Sequence, residues 1–342
     1  MNHTFLPSTR QKHMGFTIVE LMIGMTVGLF LLAGVIGIFI STQQAGRTTD
    51  SLSRIQENAR MAFELMARDV REAGGNPCKN NNPVANVLNN AATTTWSNWV
   101  EGLMGYTTDG AFNTAFPSIG TGTGITQHVA GTHALTVMGA TGTGITVASH
   151  TPNSAQFKVN TTDHGFSSGD ILMVCDFNQT SIFQVTNANA SNVTIVHNTG
   201  AGTPGNCTKG LGLPLKCTAN GTPYTYGANS QLIRFQSATW YIGDSGRNDN
   251  RGRPINSLFR TVNGGAPQEM VEGIDNMRLS FLIPPGPAYG TPTTAAQWAS
   301  VSAVNIALTL SGTETGTRTD NVDGSRLQRT LNQTVSLRNR LP

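Results

Sequence analysis

Residues 16 to 40 read FTIVELMIGMTVGLFLLAGVIGIFI, 25 positions with one charge, Glu20. A hydrocarbon core needs about 20 apolar residues of helix, so this run predicts a membrane-spanning helix. Beyond it the pattern narrows. Leu52, Ile55, Ala59, Ala62, Phe63, Met66 and Val70 recur at steps of three and four, which is one face of a helix. Arg54, Glu57, Arg60, Glu64, Arg68 and Arg71 take the other faces. Arg60/Glu64 and Glu64/Arg68 stand four apart, where opposite charges attract. Gly74-Gly75-Asn76-Pro77 is a helix stop. The pattern predicts one helix from 16 to about 73, ~87 Å long at 1.5 Å per residue, with Gly46 as a place for a bend. Its second half carries about three turns of stripe, too few for a coiled-coil stalk and enough to pack on a globular head.

From Pro77 onward the pattern shortens. Residues 84 to 130 are rich in Asn, Thr and Gly, with Trp96, Trp99, Tyr106, Phe112 and Phe116, and read as a long irregular loop. TGTGIT occurs at 121–126 and again at 141–146, and reads as hairpin chemistry. No Lys or helix start follows these glycines, so they do not make a phosphate loop. Short β-branched runs follow between Gly, Asn and Ser turns, at 134–138, 157–159, 171–175, 182–186 and 193–197, and predict an antiparallel meander. Further strands are predicted at 231–235, 239–242, 257–262, 277–283, 303–310 and 329–337. The fold class expected is α+β, a long amino-terminal helix packed on a large antiparallel β-rich head.

Composition changes this picture little. The 342 residues suit one large or two modest domains. With 22 basic and 19 acidic residues the net charge is +3, so no polyanion-binding surface follows.

Glu20 is the anomaly. An acid at the centre of a span costs about 2.5–3.5 kcal/mol on insertion scales, and less toward the interface. It therefore wants a partner, and its own segment holds no cation. Ahead of it, MNHTFLPSTRQKHMG carries Arg10 and Lys12 and no acid, which holds this end in the cytoplasm and sends the rest outward. A secretory signal peptide would have a shorter apolar core and a small-residue cleavage site, for which Ser41-Thr42-Gln43-Gln44 is a weak match. A plain signal anchor explains the run but neither Glu20 nor the Gly15-Phe16 junction.

Gly15-Phe16-Thr17-Ile18-Val19-Glu20-Leu21, after a basic leader and before a long apolar run, resembles the processing site of type IV prepilins, the class III signal peptides. The resemblance implies that a prepilin peptidase cuts between Gly15 and Phe16 and methylates the new amine of Phe16. It also implies that Glu20 guides docking, by pairing with the Phe16 amine of a neighbouring subunit. Residues 1–15 would be the leader, 16–75 the helix, transmembrane at 16–40, and 76–342 a periplasmic or extracellular head. More loosely, His164-Gly165-Phe166 with Gly169-Asp170-Ile171-Leu172, then Leu258-Phe259-Arg260, Val271-Glu272-Gly273-Ile274 and Val335-Ser336-Leu337-Arg338-Asn339-Arg340 resemble the PilW group of minor pilins. That implies a structural subunit that primes or caps a type IV pilus and serves adhesion and twitching motility. Its partners would be other minor and major pilins, the inner-membrane assembly platform and a tip adhesin. A J-type minor pseudopilin of type II secretion shares the amino-terminal chemistry and is the alternative; a DNA- or surface-binding receptor pilin is the second.

The remaining constellations point to structure. Cys78, Cys175, Cys207 and Cys217 all follow the apolar run, contain no CxxC and read as two disulfides in an oxidising compartment. Three connectivities are open; the compact loop TKGLGLPLK favours Cys207–Cys217, leaving Cys78–Cys175 to tie the helix end to the sheet. The seven histidines are scattered and read as exposed loop residues, with no metal set. Asp244 to Asn250 lacks the acid alternation of an EF-hand and reads as a hairpin tip. Arg247, Arg251 and Arg253 near Tyr241 read as a solvated basic turn rather than a nucleic-acid site. No Gly-x-Ser-x-Gly elbow occurs, and the expectation is no catalytic residue, no cofactor and no enzyme activity.

Overall fold

A computed structural model describes residues 15–79, 82–100, 102–106, 124–141, 144–200, 202–315 and 326–340. The leader cations Arg10 and Lys12, together with Phe112 and Phe116, lie outside the described residues. Helix α1, Ile18–Arg71, is one unbroken helix that runs straight through Gly46 in its hydrogen bonding. At 54 residues it is about 81 Å long.

The head follows in chain order as β1 (Val84–Asn86), β2 (Leu103–Tyr106), β3 (Ala134–Thr141), β4 (Val147–Thr151), β5 (Gln156–Val159), β6 (Ile171–Cys175), β7 (Thr180–Gln184), β8 (Asn187–Ala188) and β9 (Thr194–Val196). Then come β10 (Gln231–Asn248), β11 (Pro254–Val262), β12 (Gln268–Glu272), β13 (Ile274–Leu282), β14 (Tyr289–Gly290), helix α2 (Ala295–Ser300), β15 (Ala303–Thr315) and β16 (Arg326–Ser336). An eight-stranded sheet runs β1-β7-β6-β10-β11-β12, with β3 on β10 and β2 on β3. A four-stranded sheet runs β14-β13-β15-β16, and a small one β4-β5-β9-β8. All pairings among these strands are antiparallel except β1 with β7. The α+β class expected is the one found.

Four expectations need correction. The stretch from 84 to 130 is not all irregular, since it supplies β1 and β2. The second TGTGIT is not a hairpin: it links β3 in the large sheet to β4 in the small one. The strands from 134 to 197 are not one meander, because β4, β5, β8 and β9 leave to form their own sheet. Finally, 231–235 and 239–242 are one strand. Gln236, Ser237 and Ala238 stay extended because β3 offers them Gly139, Met138 and Val137 as partners.

Two main cores result. In the first, Ile55, Ala59, Ala62, Phe63, Met66 and Val70 of α1 meet Trp240, Leu258, Met277, Phe281, Ile306 and Leu308. The expected stripe is thus the buried face, and the second half of α1 packs on the head rather than forming a stalk. The other core lies between the large and small sheets, around Phe157, Leu172, Val174, Phe183, Ile195, Tyr226 and Leu232.

Candidate assembly site at the amino end

Sequence dictates an abrupt change of environment along α1. From Ile18 to Ile40 the helix is exposed on every side, with Phe30 at 82% and Ile18 at 78%. Among the described residues this is the one helix long and apolar enough to cross a membrane. Phe16 is 87% exposed, and nothing approaches within 4 Å of where a Cβ on Gly15 would stand.

Glu20 has a partner within its own chain that is not a cation. Thr17 is the N-cap of α1, and its hydroxyl accepts from the Glu20 N–H at 3.3 Å. The carboxylate of Glu20 reaches back to accept from the Thr17 N–H at 3.1 Å and the Thr17 hydroxyl at 3.0 Å. This is a capping box. The signal for it, Thr-x-x-Glu ahead of an apolar run, is legible in the chain. The box satisfies orphan donors at the helix start without a cation. It leaves the carboxylate exposed at the first turn, one turn above Phe16, where a second molecule can reach it.

The other end of α1 is fastened by the head. Asp69 accepts from Trp240 Nε1 at 2.9 Å and from Arg260 Nε at 2.9 Å, and the Arg260 guanidinium lies over the Trp240 ring. Asn339 donates to the carbonyls of Glu72 and Ala73, capping the helix end. Gly102, at φ +76°, lets the helix end pass: a Cβ there would meet Gly74 backbone at 2.5 Å. The disulfide Cys78–Cys175 completes the fastening by tying the segment after α1 to the end of β6, while Cys207–Cys217 closes a local loop in the head.

The histidines overturn the expectation of exposed loop residues. All five within the described chain, His128, His133, His150, His164 and His197, are buried. His150 and His197 face each other with Nε2 atoms 3.1 Å apart. His150 Nδ1 accepts from the Tyr226 N–H, so its Nε2 carries the proton and donates to His197. Burial drives the pKa of His150 down to about 4 and that of His197 to about 3, the latter helped by the neighbouring His150. These rings are neutral parts of the second core, His150 stacked on Phe157 and His197 tilted against it.

The basic turn also differs from expectation. Arg247 pairs with Glu269 and Glu272, and Asp249 takes Arg253 at 3.0 Å and Arg326 at 2.9 Å. Burial alone raises the Asp249 pKa. The N–H groups of Arg253 and Arg251 and the two guanidinium groups outweigh it and hold the carboxyl well below its usual range. β10 and β11 do form a hairpin here, with its tip at 249–253 beyond the Asn248/Pro254 pair. Tyr241 is buried, donating its hydroxyl to the Thr126 carbonyl. A neutralised turn with a buried Tyr is a poor phosphate surface.

No family model matches the chain, and no solved structure matches it. The pilin-like protein PilA3 of Thermus thermophilus is 33% identical over 60 residues, which is 18% of this chain and 26% of that protein. The match therefore spans about a quarter of that relative's length. A long exposed apolar helix, a β-rich head and this local similarity together fit a type IV pilin.

Proposed function

We propose that this chain is a minor structural subunit of a type IV pilus and carries no reaction of its own. Residues 1–15 are a leader, 16–75 the stem and 76–342 the head. The subunit crosses the inner membrane once, amino end in the cytoplasm, until prepilin peptidase cuts between Gly15 and Phe16 and methylates Phe16. It then joins other minor and major pilins on the assembly platform and reaches the cell surface. Likeness to the PilW group supports a subunit of low abundance that primes or caps assembly beneath a tip adhesin, and so serves adhesion and twitching motility.

One observation carries the reading. A carboxylate, Glu20, stands at the first turn of a helix whose apolar surface is exposed all round. In the uncut chain Thr17 satisfies it. The cut creates an amine at Phe16 that no group of the same helix neutralises well, since Glu20 lies only about one turn away, committed to the cap. Two parallel helices offset along their axes bring the amine of one to the carboxylate of the other. The desolvated pair is then stronger than any equivalent in water.

Immunoblots of membranes and sheared pili test this. Gly15→Val is expected to leave the full-length band only; a mature-length band refutes the cut. Glu20→Ala is expected to be cut normally yet be absent from sheared pili; normal incorporation refutes the docking role. Copurification with secretion pseudopilins instead of pilins would transfer the chain to a type II secretion system.

A further inference from the structure

We propose that the outer face of the upper half of α1 docks a second copy of this chain, parallel and shifted along the axis by four residues, about 6 Å. This rests on the anchored, parallel arrangement proposed above, and adds to it a face, a shift and the residues that set them.

The face is built by sign. Asp50, Arg54, Glu57, Arg60, Glu64, Arg68 and Glu72 alternate in charge along the helix, and all are exposed. At about 100° per residue they share an arc of about 120°. That arc lies opposite the buried stripe of Ile55, Ala59, Met66 and Val70. A copy docked there leaves both heads on the outside. Ion pairing inside a single helix is the ordinary account of such alternation. This helix uses it once, where Arg60 Nε holds Glu64 at 2.9 Å. Asp50, Arg54, Glu57, Arg68 and Glu72 make no ion pair among the described residues. Met61, 48% exposed, stands in the middle of the charges, an apolar contact that a solvated face does not need.

The shift follows from the order of the charges. With no shift, each charge of one copy meets its own sign on the other. A shift of seven sets Arg47 by Arg54, Asp50 by Glu57 and Glu57 by Glu64, all repulsive. A shift of four sets Asp50 by Arg54, Arg60 by Glu64, Glu64 by Arg68 and Arg68 by Glu72, with no like pair. Arg47 and Arg71 then face Ser51 and Gly75, and Met61 faces Leu65. A shift of ten also avoids like pairs, joining Arg47 to Glu57, Asp50 to Arg60 and Arg54 to Glu64. Only the shift of four also brings the amine at Phe16 level with Glu20. The two ends of the helix thus select one register. Exposed pairs of this kind add little affinity each, so the apolar lower halves supply the attraction and the charges choose the alignment.

The test uses the full chain in phosphatidylcholine vesicles, with donor and acceptor dyes on carboxy-terminal tags. Energy transfer between copies is expected, and is expected to fall as salt rises to about 1 M. Glu64→Arg in one preparation, and Arg60→Glu with Arg68→Glu in another, are each expected to weaken pairing about tenfold. Mixed together, the two are expected to pair like the parent. With the Glu64→Arg copy shifted upward by four, every facing pair is again attractive; at a shift of ten one repulsion always remains. A fault within one chain cannot be repaired by mixing, because each chain keeps its own repulsions. Thermal melts check folding; if either variant unfolds, Glu64→Gln, expected to weaken pairing about threefold, decides. No transfer between parent copies, variants that pair like the parent, or no recovery on mixing overturns the proposal. The immunoblots above judge the assembly reading separately: a subunit cut normally and incorporated through Glu20, but with no recovery on mixing, keeps that reading and removes this one.

Discussion

The two halves of α1 share one backbone and almost nothing else. Below Ser41 the apolar residues face outward on every side; from Ser51 upward Ile55, Ala59, Ala62, Met66 and Val70 are almost fully enclosed. A helix within a protein owes less to propensity than to what covers its apolar surface. The upper half is covered by its own head, so its stability is a property of the molecule. The lower half is covered only by what surrounds the molecule, so its stability belongs to lipid or to neighbours. The same physics thus makes one half structural and the other associative.

The comparison is broken most severely by untying the upper half. Replacing Cys78 and Cys175 with Ser removes a link between positions 97 apart. By the chain-entropy model it is expected to lose ~4–5 kcal/mol, read as a lower denaturation midpoint. Opening the ten-residue Cys207–Cys217 link is expected to lose less, about 3 kcal/mol.

The core contact itself comes next. Met66→Ala, at a fully buried position, is expected to lose about 3 kcal/mol. Leu29→Ala, at an exposed position of the lower half, is expected to change the unfolding of detergent-solubilised protein by less than about 0.5 kcal/mol. Equal losses from the two would refute the division.

Acid sharpens the comparison, because two buried imidazoles lie in the second core of the head, away from α1. His150 and His197 have folded pKa values near about 4 and about 3. Below their unfolded value of about 6.5 the unfolded chain binds protons that the folded chain refuses. Stability is therefore full above about pH 6.5 and falls as pH drops toward 4, by about 1.4 kcal/mol per pH unit for each ring. His197→Gln is expected to flatten that slope in melts from pH 7 to pH 4.

The smallest effect lies on the outer face of the upper half. Arg60→Ala removes an exposed pair with Glu64 at 2.9 Å and is expected to lose about 0.3–0.5 kcal/mol, vanishing in about 1 M salt. A larger loss would mean that this face is covered as well.

Legibility in the sequence followed the range of the interaction. The stripe from Leu52 to Val70 is set by local periodicity, and it is the buried face. β6 is bounded by Gly169-Asp170 before it and Asp176 after, and its limits are legible to the residue. What sheet a strand joins is not local: the short runs at 157–159 and 182–186 are both predicted as strands of one meander, but β5 and β7 enter different sheets. The burial of the histidines escapes local pattern for the same reason. Nothing near His150 announces His197, 47 positions later, yet their contact makes both rings core. At the amino end the junction Gly15-Phe16 and the acid Glu20 stand out by pattern; the Thr17-x-x-Glu20 capping signal is as legible, but a search for a cation passes over it.

The fastening of α1 has a consequence in time. The strands that cover its stripe are chiefly β12, β15 and β16, and the residue that caps its end is Asn339. A helix near the start of the chain is thus enclosed by segments made some 200 to 270 residues later. During synthesis its stripe waits uncovered while the rest of the head emerges. Contacts of such long sequence separation form slowly and leave apolar surface open to misassociation. In the membrane-anchored subunit proposed above, a lower half held in the bilayer would keep the waiting stripe apart from its neighbours until the last strand arrives. Pulse-labelled chains halted before β15 are therefore expected to be cleaved by protease between 51 and 71, and completed chains to resist.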